Sequence, residues 1–279
     1  MSLKQRFLQN SGLLSIFYFL SRFINVFYFF FITNLLSPVQ YGILNICMSI
    51  YEVFAIPHGS LNNALLKYLP EKKQIRYVKE TLTLDIIVSL GLGIVLFILA
   101  APIARTFDIP VSLLWIVALL LLIFNIRETL THALFGTSAI KFYVGNELLY
   151  NLLRLFIIVL ITFYIRNAYG VIIASIFVAC VSILIALLFL RKIQFNHARI
   201  QKHALRRYSL NFLVILLVGG TQPHVYLFVL AFFQSNLEIG YYKFLLNIIT
   251  VGMISFISTL SGMLLNHYSQ LYYKKEEKE

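Results

Sequence analysis

Arg22, Arg127 and Arg154 each fall inside a long apolar stretch of the chain, and polar neighbours accompany them at helical spacing. An ionisable group at mid-depth in hydrocarbon costs at least ~2.5–3.5 kcal/mol, so such residues face a partner or a wet cavity. Asn45, Ser49 and Glu52 recur at i, i+4, i+7, and Asn125, Glu128 and His132 at i, i+3, i+7. Glu147, Asn151 and Arg154, and then Lys243, Asn247 and Thr250, repeat the i, i+4, i+7 spacing. Each trio therefore shares one helical face, and Arg22 with Asn25 makes a shorter pair. The chemistry open to this set is recognition of an anion, because guanidinium forks match phosphate oxygens. Arg22, Asn25, Glu52, Arg127, Glu128, Asn151 and Arg154 are the expected lining of a substrate-binding cavity, with Glu52 balancing or coupling charge. Internal pairing, such as Arg22 with Glu52, is the competing reading. Arg127 and Glu128, as neighbours in sequence, are expected to point in different directions, and Lys243 to snorkel.

Eight predominantly apolar stretches must position these residues, at about 13–35, 38–66, 82–104, 111–135, 142–165, 169–190, 209–233 and 236–268. Each has the roughly 17–25 residues that a spanning helix needs. Composition agrees: of 279 residues, 60% are apolar and 12% charged, against about 45–50% and 25% in soluble domains. The fold class expected is an all-α polytopic membrane protein. A cytosolic enzyme, a secreted disulfide scaffold and a disordered chain are excluded. Cys47 and Cys180 fall in mid-span and read as free buried thiols.

The net charge of +12 is mostly topology. Seventeen Lys and Arg residues lie in the N-terminal segment and the even-to-odd loops. Only Arg105 and Arg166 lie in the short odd-to-even turns, and Arg22, Arg127, Arg154 and Lys243 lie within spans. The positive-inside rule then puts both termini in the cytoplasm, and juxtamembrane basic clusters beside anionic lipid explain the charge without nucleic acid. The stretch 191–208 interleaves six basic residues with Phe195, Ile200 and Leu205; it reads either as a basic surface helix on the inner leaflet or as a solvated linker. No small-residue cleavage pattern follows the first apolar run, so helix 1 is expected to stay in the mature chain.

Pro57-His58-Gly59 and Gly219-Gly220-Thr221-Gln222-Pro223 interrupt spans two and seven. Pro57, Gly59, Gly219, Gly220 and Pro223 are hinge candidates because each can free backbone groups or kink a helix. His58 and His224 beside them read as packing residues that could titrate. Ser37-Pro38-Val39-Gln40-Tyr41-Gly42 has the form of a capping box with Pro at the first helical position, and Ser235-Asn236-Leu237-Glu238-Ile239-Gly240 repeats it 198 residues later. At the same shift Ser11 matches Ser209, Tyr28 matches Tyr226 and Phe30 matches Phe228; Leu69, Lys72 and Lys73 match Leu271, Lys274 and Lys275 at 202. Six helices per repeat is an even number, so both copies lie the same way up, as in parallel-repeat transporters. The expected organisation is a six-helix lobe over residues 1–208, including the linker 191–208, followed by the first two helices of a second lobe and a charged tail over 209–279.

No nucleotide, zinc, nucleophile-elbow or dinucleotide motif occurs, so no metal or cofactor is implied and the chain does not read as an enzyme. Turns of a few residues leave no room for a catalytic domain outside the bilayer.

Leu36 to Gly42, then Gly59-Ser60-Leu61-Asn62-Asn63-Ala64-Leu65-Leu66-Lys67-Tyr68-Leu69-Pro70-Glu71, resemble the first two helices of the polysaccharide-biosynthesis oligosaccharide flippases, of O-antigen type. Ser235 to Gly240 and Ser269-Gln270-Leu271-Tyr272-Tyr273-Lys274-Lys275 resemble the start of their second lobe. These flippases share a superfamily with multidrug extruders and lipid II flippases. The resemblance implies two six-helix lobes around a central cavity that passes a lipid-linked oligosaccharide, of polyprenyl-phosphate type, across the cytoplasmic membrane by alternating access. Members have twelve to fourteen helices where eight are counted here, so the expectation is a chain truncated after helix 8, with a second chain as one source of the missing helices. Many members carry an acidic and then a basic residue in helix 7, where this sequence has His224 and Val225. A cation-coupled multidrug extruder of the same architecture and a non-transporting partner protein are the alternatives.

Overall fold

A computed structural model of the chain describes residues 3–72, 75–137, 139–193 and 202–249. Among these every element is helical: α1 (Leu3–Leu35), α2 (Pro38–Phe54), α3 (Ile56–Lys72), α4 (Ile75–Phe107), α5 (Val111–Gly136), α6 (Ile140–Leu153), a π-helical turn (Arg154–Ile158), α7 (Val159–Ile165), α8 (Ala168–Arg191), α9 (Lys202–Phe233) and α10 (Asn236–Ile249). Six helices are long and apolar enough to cross a membrane, and α2 with α3, bent by 51°, makes a seventh broken span. The eighth expected span enters the described residues only as α10; its remainder, Thr250 and the exit motif 269–275 lie outside them.

Local chemistry accounts for the breaks. Pro57 has no N–H for the Val53 carbonyl, and α2 ends one turn after Tyr51, whose carbonyl accepts from Ala55 N–H at 2.8 Å. Pro223 does not divide its span: α9 continues through it. Pro223 has no N–H to give the Gly219 carbonyl, and the helix runs on past that missing bond. Gly219 itself has open space where a Cβ would stand. Residues 202–208, expected within a linker, form the first two turns of α9.

The helix ends also differ from the capping expectation at one residue. Ser37 Oγ accepts from Gln40 N–H at 3.3 Å, but the Gln40 side chain does not return to its own cap. Its Oε1 accepts from Ala168 N–H at 3.0 Å, which satisfies an amide left without a partner at the start of α8. In the second copy the reciprocal bond is complete: Glu238 accepts from both Ser235 N–H and Ser235 Oγ–H at 2.9 Å. Asn236, standing where the first copy has Pro38, donates to the Asp108 carbonyl at 2.8 Å. The turns at Ser37, Asp108, Asn167 and Ser235 therefore gather at one end of the bundle.

Two glycines let α2 and α10 touch backbone to backbone. A Cβ on Gly42 would lie 2.0 Å from the Asn236 carbonyl oxygen, and one on Gly240 would lie 2.0 Å from that of Pro38. The two contacts exchange under the 198-residue shift. The main apolar core fills the space among α2, α4, α5 and α8, with Ile46, Cys47, Leu96, Leu113, Leu120 and Val178 wholly buried. A second cluster joins α3, α4, α5, α8 and α9 toward the other end. Ile94, Ile98, Leu160, Leu184 and Val218 are at least 57% exposed; they form part of an apolar outer surface suited to lipid. The chain is a multi-pass membrane protein.

Candidate functional site

A cavity of about 460 Å³ opens among α1, α2, α5, the π-helical turn, α8 and α10. Arg22, Asn25, Glu52 and Arg154 of the expected set line it, together with Asn45 and Asn247 from two of the polar stripes. Arg154 stands at the start of the π-helical turn, near the middle of the 26-residue span Ile140–Ile165. A π turn inside an α-helix adds a residue to one turn and commonly marks a functional position. The Arg154 guanidinium lies 4.0 Å from the centre of the Tyr28 ring, and its Nη1 donates to Asn25 Oδ1 at 3.3 Å. Among the described residues no carboxylate pairs with it.

The rest of the expected set is placed elsewhere, which corrects the sequence expectation. Arg127 is buried, at 3% exposure, and pairs at once with Glu128 and Glu147. Its Nε donates to Ser182 Oγ at 3.3 Å and its guanidinium lies 3.6 Å from the Tyr150 ring centre. Neighbouring residues on a helix start about 100° apart, but Glu128 curls back because a buried guanidinium with one carboxylate still has free N–H donors. Asn151 packs against α1, donating to Ser21 Oγ at 3.2 Å. Arg127, Glu128 and Asn151 therefore tie helices together and do not line the cavity.

Glu52 Oε2 lies 3.3 Å from His224 Nε2, across the contact of α2 with α9. One turn further on, Gly220 faces the Ile56 side chain, which a Cβ would meet at 3.7 Å. The two proline–glycine segments thus meet at the bend between α2 and α3. His58, taken as a packing residue, belongs to a buried network that sequence reasoning missed: its Nδ1 is 2.8 Å from Asp85 Oδ1 and its Nε2 is 2.7 Å from Asn62 Nδ2. Thr129 donates to Asp85 Oδ2 at 3.0 Å. Asp85 is fully buried, and the sequence did carry a signal for it, since Thr81, Asp85 and Ser89 repeat every four residues.

The tyrosines of the cavity, Tyr28, Tyr41, Tyr51 and Tyr150, were also missed, because in an aromatic-rich chain they look like core. Tyr41 Oη accepts from Asn247 Nδ2 at 2.6 Å, so the cavity is closed on one side by a bond between α2 and α10. This wall of phenols, amides and two arginines can hold an anionic group and the hydroxyls of a sugar. Among the described residues no cluster of His, Cys, Asp or Glu has the make-up of a metal site, and Cys47 and Cys180 are free.

Residues 31–278 match the model of a family described as polysaccharide biosynthesis protein. No curated protein matches the sequence. Among solved structures, the MATE multidrug transporter DinF-BH in complex with R6G superposes with a TM-score of 0.72 at 14% identity, covering 96% of this chain and 66% of that one. A second, described as protein A, superposes at 0.69 with 14% identity and the same two coverages. The chain thus has a MATE-like fold and spans just under two thirds of the length of either structure.

Proposed function

The chain belongs to the polysaccharide biosynthesis protein family, and from that premise we propose that it moves a lipid-linked oligosaccharide from the inner to the outer leaflet of the cell membrane by alternating access. The substrate class is a sugar unit on a polyprenyl phosphate or pyrophosphate. Arg154 carries the reading: a mid-span guanidinium on a cavity wall, with no carboxylate to neutralise it among the described residues, is a site prepared for an anion brought from outside. Arg22 adds a second positive charge to the same wall, and Asn25, Asn45 and Asn247 offer partners to sugar hydroxyls. Glu52 with His224 links α2 to α9 and is the titratable pair through which charge could be coupled to movement of these helices. Both termini lie in the cytoplasm in this reading.

Translocation of a labelled polyprenyl-phosphate sugar in proteoliposomes tests it. Arg154→Gln is expected to lower the rate at least about 10-fold, the loss of one charge-assisted bond to phosphate, and Arg154→Lys to recover part of it. Unchanged rates in Arg154→Gln would overturn the assignment. Drug efflux that survives while sugar-lipid movement is absent would instead favour a cation-coupled extruder.

A further inference from the structure

At the end of the bundle away from the Ser37, Asp108, Asn167 and Ser235 turns, the first turns of α4 and α9 flank a separate cleft of about 300 Å³. Arg76, Lys79, Glu80, Thr83 and Lys202 line it. Glu80 is the acid at its base, accepting from Lys202 Nζ at 2.7 Å and from Arg206 Nη2 at 2.5 Å. These two bonds pin the start of α9 to α4. Arg76 and Lys79 are exposed, and no carboxylate pairs with them among the described residues. Three lining cations against one carboxylate leave a surplus of two positive charges on this opening, and Arg206 bonds to the same acid from beside it.

A second observation concerns what continues from that opening along α4. Arg76, Thr83, Ile87, Leu90, Ile94 and Ile98 follow one another at spacings of three, four and seven, so they share a single helical face. Ile87, Leu90, Ile94 and Ile98 are 61%, 48%, 60% and 69% exposed. The face thus changes from cationic to bare apolar within about three turns, a transition that suits an amphiphile lying along the helix. A soluble anion would use only its upper part. We propose that this cleft binds the phosphodiester headgroup of an anionic membrane phospholipid, with the acyl chains along the α4 stripe. Basic pockets between spanning helices bind such headgroups. The site is independent of the cavity at Arg154 and of what that cavity carries. It lies in the cytoplasmic leaflet in the orientation proposed above.

The test is retention of dioleoyl-phosphatidylglycerol by the purified full chain, read by native mass spectrometry and by the rise in melting temperature on adding the lipid. Arg76→Gln with Lys79→Gln removes two juxtamembrane charges and is expected to weaken retention about 30-fold, at about one kcal/mol for each. Neither side chain has an ion partner among the described residues, so the variant's melting temperature in phosphatidylcholine should equal that of the wild type. Lys141→Gln, a basic residue at the same end, should leave retention unchanged. Equal retention by the double variant, equal stabilisation by phosphatidylcholine, or an equal loss in Lys141→Gln would overturn the proposal. Stabilisation by glycerol 1-phosphate matching that by the lipid would replace the phospholipid with a soluble phosphate ester and overturn it as well.

Discussion

Arg127 and Arg154 are the same residue type at similar depth, and their surroundings give them opposite uses. Arg127 has two carboxylates, a hydroxyl and an aromatic face around it, so its charge is consumed within the fold. Arg154 has an aromatic face and one amide, so its charge is presented to the cavity. Arg127→Gln should therefore act on stability. Leaving Glu147 and Glu128 without their cation is expected to cost about 3–5 kcal/mol, seen as a fall in melting temperature in detergent, whereas Arg154→Gln should leave that temperature within a few degrees. Replacing Arg127 and Glu147 together by Leu should recover much of the loss, because the pair's stabilisation is largely repayment of its own desolvation. A double variant no more stable than Arg127→Gln would show that the charge itself is required there.

Among the elements, the contact of α2 with α10 is the most demanding sterically. Neither Gly42 nor Gly240 can accept a methyl group while the helices stay where they are, since each Cβ would overlap a backbone carbonyl oxygen at 2.0 Å. Gly42→Ala and Gly240→Ala should each destabilise the protein by about 1–3 kcal/mol, as overpacked sites do. Gly219→Ala provides the contrast: nothing lies within 4 Å of its Cβ position, and Ala is the better helix former by about 1 kcal/mol. Melting temperatures of the three variants separate the cases, and a neutral Gly42→Ala would show that the helices are free to move apart. From the exchange of Gly42 with Gly240, and of Pro38 with Asn236, under one sequence shift, we propose that residues 1–208 form a six-helix lobe and residues 209–279 begin a second, parallel one.

For the molecule as a whole, the gathered turns give topology a direct test. Single cysteines at Asp108 and Arg166, in a chain with Cys47→Ser and Cys180→Ser, should react with a membrane-impermeant maleimide added outside intact cells. Cysteines at Lys79 and Lys141 should react only after the membrane is opened. The reverse pattern would invert the orientation, and with it the leaflet of the α4–α9 cleft and the direction of the proposed transport.

Hydropathy alone determined that the chain crosses a membrane repeatedly, because uninterrupted apolar runs of this length have no other stable solvent. Charge placement set the expected orientation, and the Ser37 and Ser235 motifs marked where two helices begin. The polar stripes told which residues must avoid lipid. They could not tell which of them face each other, since helical periodicity fixes a residue's angle about its own axis and says nothing of the neighbouring helix. Tertiary packing made that choice: it closed Glu128 and Glu147 onto Arg127, turned Gln40 away from its own cap to Ala168, and carried Glu52 to His224. It buried Asp85 against His58, and left Arg154 and Arg22 on the wall of a cavity.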